Sequence, residues 1–231
     1  DLLVIQNQLD EKVILVDELE TTIQKLEQEI TFQFDKVTEL AHSISKQRRN
    51  IAPKLTAEME VILTQLGMPD AQVVFDIQKA NSFLVTGNDL IAIQFSANKG
   101  MPLGTLKKVA SGGEMSRIML ALKAVLANYS NLPTIIFDEI DTGVSGEIAI
   151  KMGEIMKTMS QCLQVFAITH LPQIAAKGNQ HYKVFKFNKG ETTISELKLL
   201  SETERITEIA EMLSGKSITD SAIIHAKALL N

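Results

Sequence analysis

Tryptophan is absent from this 231-residue chain, cysteine occurs once and aromatic residues make up only 5% of it. The lone Cys162 excludes a disulfide framework. No window comes near eighteen consecutive apolar residues, which excludes a membrane-spanning helix. No signal-peptide pattern stands at the start, and the expected setting is reducing and cytoplasmic, with no membrane partner. The chain is also no polycation: its net charge is −5. Any contact with nucleic acid must come from a local patch or from parts outside this sequence. Lys46, Arg48, Arg49 and Lys54 form one modest basic cluster, of the kind that is usually a solvated face. What the chain does have is 45% hydrophobic and 22% charged residues, ordinary values for a folded protein.

Every seventh residue from Leu2 is aliphatic: Leu2, Leu9, Val16, Ile23, Ile30, Val37, Ile44 and Ile51. The companion positions Ile5, Leu19, Leu26 and Leu40 are apolar too, while Lys12, Gln33 and Gln47 weaken the seam and could fix its register. Charged residues lie between. This pattern predicts one strand of a coiled coil over residues 1–52, spanning roughly 75 Å at 1.5 Å per residue. Its partner would most simply be an upstream helix of the same protein. The chain opens on Asp1 with the heptads already running, so a piece of a longer protein is expected. Pro53 predicts a break or restart, with Leu55, Met59, Ile62, Leu63 and Leu66 forming an amphipathic face beyond it.

Residues 53–231 read as an α/β domain. Strands are expected at Val73–Ile77 and Leu90–Phe95 around the turn-prone Thr86-Gly87-Asn88-Asp89. Buried parallel strands are expected at Thr134–Phe137 and Val165–Ile168, and an edge hairpin around Asn188-Lys189-Gly190. Helices are expected at about 113–127, 146–159, 202–213 and 219–230. Alternating strands and helices predict a mainly parallel sheet with helices on its faces.

Four pieces carry chemistry. Ser111-Gly112-Gly113-Glu114 opens a helix, with Ser111 a natural N-cap. Two glycines permit close approach of a ligand, and the free N–H groups of the first turn favour an anion; the plain alternative is a simple cap. The apolar run Thr134–Phe137 ends in Asp138-Glu139. Ligands of open parallel sheets bind at the carboxyl ends of the strands. Asp138 could there hold Mg²⁺, directly or through water, and Glu139 could orient or deprotonate an attacking water. The plain alternative is a solvated acidic turn. Asp141-Thr142-Gly143-Val144-Ser145-Gly146 follows as a turn and helix start. Ile168-Thr169-His170 ends the next apolar run, so the imidazole would stand beside Asp138-Glu139 if the two strands are neighbours.

In content and order these pieces resemble the signature motif, Walker B, D-loop and H-loop of the ABC and SMC superfamily of ATPases. Within it, "KKVASGGEMSRIMLALKAVL", "TIIFDEIDTGVSGEIA", "ITHLPQIAAKGNQHYKVFK" and "LGMPDAQVVFDI" are similar to the RecN family of bacterial DNA repair proteins. Ala110, where transporters usually have Leu, and the "DTGVSG" wording both point toward that family. The resemblance covers the whole chain, most specifically residues 107–187. It implies the C-terminal lobe of a P-loop ATPase head preceded by a long coiled-coil helix. It also implies ATP and Mg²⁺ as cofactors, a homodimer through ATP-engaged heads, and DNA as partner of the full-length protein in recombinational repair at the bacterial nucleoid. By motif, Ser111, Gly112 and Gly113 would serve nucleotide binding, with Ser111 and Gly113 on the γ-phosphate held by the other subunit. Asp138 would serve Mg²⁺, Glu139 would be the catalytic base, Asp141 would contact across the dimer, and His170 would sense the γ-phosphate. Arg117 and Glu114 would brace the signature helix.

One decoy remains. Ala210 to Ser217 fits a relaxed P-loop pattern, but a P-loop joins a buried strand to a helix. Ile206, Ile209, Ala210 and Leu213 instead make a helical face, with Gly215 as its stop. The Walker A loop is therefore expected upstream, on an N-terminal head lobe, and this stretch alone is expected to be inactive. A transport ATPase lobe is opposed by the long heptad run, and a non-catalytic coiled-coil scaffold by the coexistence of Glu139 with the signature loop.

Overall fold

A computed structural model describes residues 2–130, 132–144, 146–189, 192–215 and 217–231. The elements run α1 (Leu2–Gln65), β1 (Gln72–Leu84), β2 (Gly87–Ser96), β3 (Gly104–Thr105), α2 (Leu106–Val109), α3 (Gly112–Ala127), β4 (Thr134–Asp138), α4 (Gly146–Met159), β5 (Gln164–Ile168), α5 (Pro172–Ala175), β6 (Tyr182–Lys189), β7 (Thr192–Leu199), α6 (Glu202–Ser214) and α7 (Asp220–Leu230). Two compact units result: Asp1–Ala52 with Asp76–Ile91, and Pro53–Phe75 with Ala92–Asn231. Among the described residues no helix is long and apolar enough to cross a membrane.

The helix α1 does not break at Pro53, contrary to the expectation from sequence: proline lies inside one 64-residue helix. An interior proline costs about 3 kcal/mol in lost hydrogen bonding and ring clash. Beyond it, Met59, Leu63 and Leu66 are each fully buried. At about 1.5–3 kcal/mol per buried aliphatic side chain, they offset that cost and keep the helix running.

In the first unit the heptad positions stay bare. Leu9, Val16, Ile23 and Ile30 are all more than half exposed. The far ends of β1 and β2 form a hairpin, longer than the sequence suggested, whose turn is Val85-Thr86 rather than the following Gly87-Asn88-Asp89. The polar Lys79-Ala80-Asn81-Ser82 stretch shows no apolar alternation; it joins the sheet through β1–β2 pairing, with only Ala80 of the four buried. The hairpin is clamped to α1 through the buried Asp89. Its carboxylate accepts from Arg48 Nη1 at 2.9 Å and from Ser45 Oγ at 2.8 Å, and Arg48 Nη2 donates to the Thr86 carbonyl at 2.7 Å. The Arg48 guanidinium holds the Asp89 carboxyl below the usual carboxylate range. Phe83 meets Phe34 edge to face at 5.6 Å.

The second unit has three apolar clusters. Met59, Leu63, Val73, Phe95 and Ile118 join the near part of β1–β2 to α3. Leu66, Leu120, Phe137, Met152, Met156 and Ile174 join α3, α4, α5 and β4. Ile209, Ala210, Ala222 and Ala226 join α6 to α7. With tryptophan absent, methionine fills much of this volume, as its flexible thioether permits. The helix α4 shows why it forms: Ala149, Met152, Gly153 and Met156 fall on one face and are all buried.

The strands are not a mainly parallel sheet. They form a three-stranded sheet β1-β2-β3, a parallel pair β4-β5 and an antiparallel pair β6-β7. The parallel pair, expected to be buried, is covered on one face only: Phe137 is 5% exposed, but Ile136, Phe166 and Ile168 are 65%, 45% and 57% exposed. Parallel sheets are ordinarily covered on both faces. Here α3 and α4 cover one, and nothing among the described residues covers the other. The hairpin β6–β7 pairs Tyr182 with Leu199 through Lys189 with Thr192; Gly190, expected in its turn, lies outside the described residues.

Candidate active site

The parallel pairing of β4 and β5 builds the site. Their register runs from Thr134 opposite Gln164 to Asp138 opposite Ile168. Two short, aliphatic strands of equal length therefore end side by side, with Asp138-Glu139 leaving one and Thr169-His170 leaving the other. The Glu139 N–H carries the ladder one step further, donating to the Ile168 carbonyl at 3.2 Å. Asp138, Glu139 and His170 are all exposed.

Glu139 has a φ of +47°, the sole positive φ outside glycine among the described residues. That conformation is held from both sides: besides the bond to Ile168, the Glu139 carbonyl accepts from Thr142 N at 3.3 Å and Thr142 Oγ1 at 2.9 Å. Side chains in the left-handed region cost of order 1–3 kcal/mol and cluster where chemistry needs them.

Asp141 is expected to contact across the dimer; within this chain its side chain is buried. It is 0% exposed, and its Oδ2 accepts from the Thr169 hydroxyl and lies 3.6 Å from His170 Nδ1. Thr169 Oγ1 in turn accepts from Leu171 N at 2.9 Å. The turn after β4 and the turn after β5 are thus joined by side chains. Nothing in the sequence relates residue 141 to Thr169 until the strand register is known.

The signature loop caps α3. Ser111 Oγ accepts from Glu114 N at 3.4 Å, while Ser111 N and Oγ both donate to Glu114 Oε2, at 2.7 and 2.8 Å. These bonds, the backbone one foremost, hold the Glu114 carboxyl below the usual carboxylate range. A reciprocal capping box of this kind supports the helix start. The hydroxyl assigned by resemblance to a phosphate is therefore engaged by Glu114 within this chain. Gly112 faces open space, whereas a Cβ on Gly113 would sit 3.4 Å from the Gly143 carbonyl oxygen. The signature helix thus starts against the turn that follows Glu139. Arg117 ties it down, donating to Gly113 O and Leu66 O, each at 3.1 Å. Ser145 lies outside the described residues.

No group of three or more metal-ligating side chains occurs among the described residues. An exposed carboxylate such as Asp138 suits Mg²⁺ carried by a nucleotide, since that ion takes one or two carboxylates and keeps phosphate and water oxygens as its other ligands. The decoy near Gly215 is a helix end: α6 runs Glu202–Ser214, Ile209 and Ala210 are fully buried, and Gly215 stops it at a φ of +75°. Lys216 lies outside the described residues.

No protein-family model matches the chain. It is 40% identical to the DNA repair protein RecN of Rickettsia prowazekii over 222 residues, which are 96% of this chain and 40% of that protein. It is 35% identical to the DNA repair protein RecN of Bacillus subtilis, over all of this chain and 42% of that protein. The chain thus spans about two fifths of the length of the curated relatives it matches. Among solved structures, it is similar to the Smc head domain with an extended coiled coil of Pyrococcus furiosus, bound there to the C-terminal domain of ScpA. The TM-score is 0.59 at 18% identity, covering 85% of this chain and 47% of that one. A chain from structural work on ATP-driven dimerisation and DNA-stimulated activation of SMC ATPases gives a TM-score of 0.52 at 18% identity, covering 75% of this chain and 99% of that one. These likenesses show the fold: an SMC-type head with a coiled-coil helix.

Proposed function

We propose, from the premise that this chain is a stretch of a RecN-type protein with the fold of an SMC head, that it supplies one half of a composite ATP site in a DNA repair ATPase. The observation that carries the reading is the in-register end of β4 and β5, which brings Asp138-Glu139 beside Thr169-His170 while α3 starts against the next turn. The bare face of β4–β5 and the bare heptad seam support a second lobe and a second coiled-coil strand, both from the same protein. Residues 1–52 are then a coiled-coil strand and residues 53–231 the C-terminal head lobe.

In this account the N-terminal lobe carries the P-loop and grips ATP. Asp138 would hold Mg²⁺, which when bound would supply neutralisation of charge on the phosphates. Glu139 accepts a proton from the attacking water, and His170 donates to the γ-phosphate. Gly112 and Gly113 present first-turn N–H groups of α3, with Ser111 at its cap, to the γ-phosphate bound on the other subunit's head, so ATP closes a homodimer. Hydrolysis is coupled to DNA engagement in recombinational repair, in the cytoplasm at the nucleoid. This stretch alone, without the P-loop, turns over ATP negligibly.

The test is Glu139→Gln in the full-length protein. The amide keeps the shape but cannot take the proton, so ATP binding should persist while turnover falls by about 10²-fold or more. Near-normal turnover would remove Glu139 from that role.

A further inference from the structure

We infer that Asp141 is a positioning residue for His170, acting from beneath it together with Thr169, rather than a contact across the dimer. The inference rests on the proposed ATP site and adds a residue pair to it.

A carboxylate that is 0% exposed is costly unless something compensates it. Asp141 has few partners: Oδ2 takes the Thr169 hydroxyl, and Oδ1 is buried with no hydrogen-bond partner among the described residues. Closing the turn after β4 does not require this charge. The Asp141 backbone carbonyl does that, accepting from Val144 N at 3.1 Å. The ionisable group facing the carboxylate from the neighbouring turn is His170, whose Nδ1 stands 3.6 Å from Oδ2 while its side chain is 68% exposed. An exposed imidazole is free to rotate unless one nitrogen is held, and the partner of one nitrogen decides what the other can offer. A small rotation of the ring brings Nδ1–H onto the carboxylate, and in the imidazolium form, in which both nitrogens carry protons, Nε2–H is left to donate to the ligand, here an anionic phosphoryl group. Thr169 sets the carboxylate: its hydroxyl donates to Oδ2 and accepts from Leu171 N at 2.9 Å, fixing the hydroxyl's direction. The turn carrying Glu139 and the turn carrying His170 are thereby coupled.

The test is a double-mutant cycle on the full-length protein, measuring kcat and KM for ATP with thermal melting alongside. Asp141→Asn should lower kcat by about tenfold to a hundredfold, the usual cost of losing an orienting partner, with KM unchanged. In a His170→Ala background it should cost nothing further, because its effect passes through the imidazole. Thr169→Val should lower kcat in the same way, and Thr169→Ser, which keeps the hydroxyl, should restore it. That pair decides the matter if Asp141→Asn fails to fold. Losses that multiply in the double variant, or equal kcat in Thr169→Val and Thr169→Ser, would overturn the proposal. Full turnover in His170→Ala alone is a separate result: it removes the imidazole from the reaction, sinking that part of the site reading and the positioning proposal with it.

Discussion

Glycine should be a better residue than alanine at position 139, the reverse of the usual order. At an ordinary position glycine is less stable than alanine by about 0.5–1 kcal/mol, because the unfolded chain is freer. Residue 139 sits at a φ of +47°. A Cβ there costs about 1–2 kcal/mol, a strain that alanine keeps and glycine sheds. Nothing else distinguishes the two variants. The Glu139 side chain is exposed, and the bonds that hold this turn, to Ile168 O, Thr142 N and Thr142 Oγ1, use only the backbone of residue 139. Taking the strain against the entropy leaves Glu139→Gly more stable than Glu139→Ala by roughly 0.5–1 kcal/mol, or about 1–4 °C of melting temperature for a unit of this size. Both variants should lose turnover, since both lose the carboxylate. Thermal melting of the two full-length variants side by side reads the difference directly. Alanine melting at or above glycine would refute the strained turn, and with it the view that the strand end trades stability for a displayed carboxylate.

Arg48→Ala leaves the buried Asp89 without its guanidinium and should cost about 2 kcal/mol, read as faster hydrogen exchange in the β1–β2 hairpin; unchanged exchange there would contradict the clamp. Glu204, in the capping box of α6 with Ser201 and beside Lys198, has its carboxyl lowered to about 2, the Lys198 ammonium being the largest cause. Its folded value lies below the ordinary value of about 4.3, so its contribution is present above that pH and is lost as pH falls toward about 2. Acid titration over that window should loosen α6, and Glu204→Gln should abolish that pH dependence; a variant that titrates like the parent would count against the box.

The heptads of α1 and the helices α3, α4, α6 and α7 were legible from a periodic apolar pattern or a cap such as Ser111, and the strands β4 and β5 from short unbroken apolar runs. The strand-end placement of Asp138 and Glu139 followed from the same reading. What escaped depended on tertiary partners. The burial of Met59 and Leu63 carries α1 through Pro53 against the local rule. The polar stretch Lys79–Ser82 extends β1 by backbone pairing, which no side-chain pattern reports. The bare face of β4–β5 looks in sequence like a buried strand, because apolar character records what a surface needs and not whether this stretch of chain supplies it. Asp141 and Thr169 meet only through the register of two strands some thirty residues apart.

If this chain supplies half of a composite site, its signature helix faces a nucleotide held by a second copy. Ser111→Arg tests this most directly. The substitution removes one cap, which costs about 1 kcal/mol, and sets a bulky side chain at the open approach beside Gly112. Sedimentation of the full-length variant with ATP should find single heads that bind nucleotide normally and fail to pair. An ATP-dependent dimer surviving in Ser111→Arg would contradict the account.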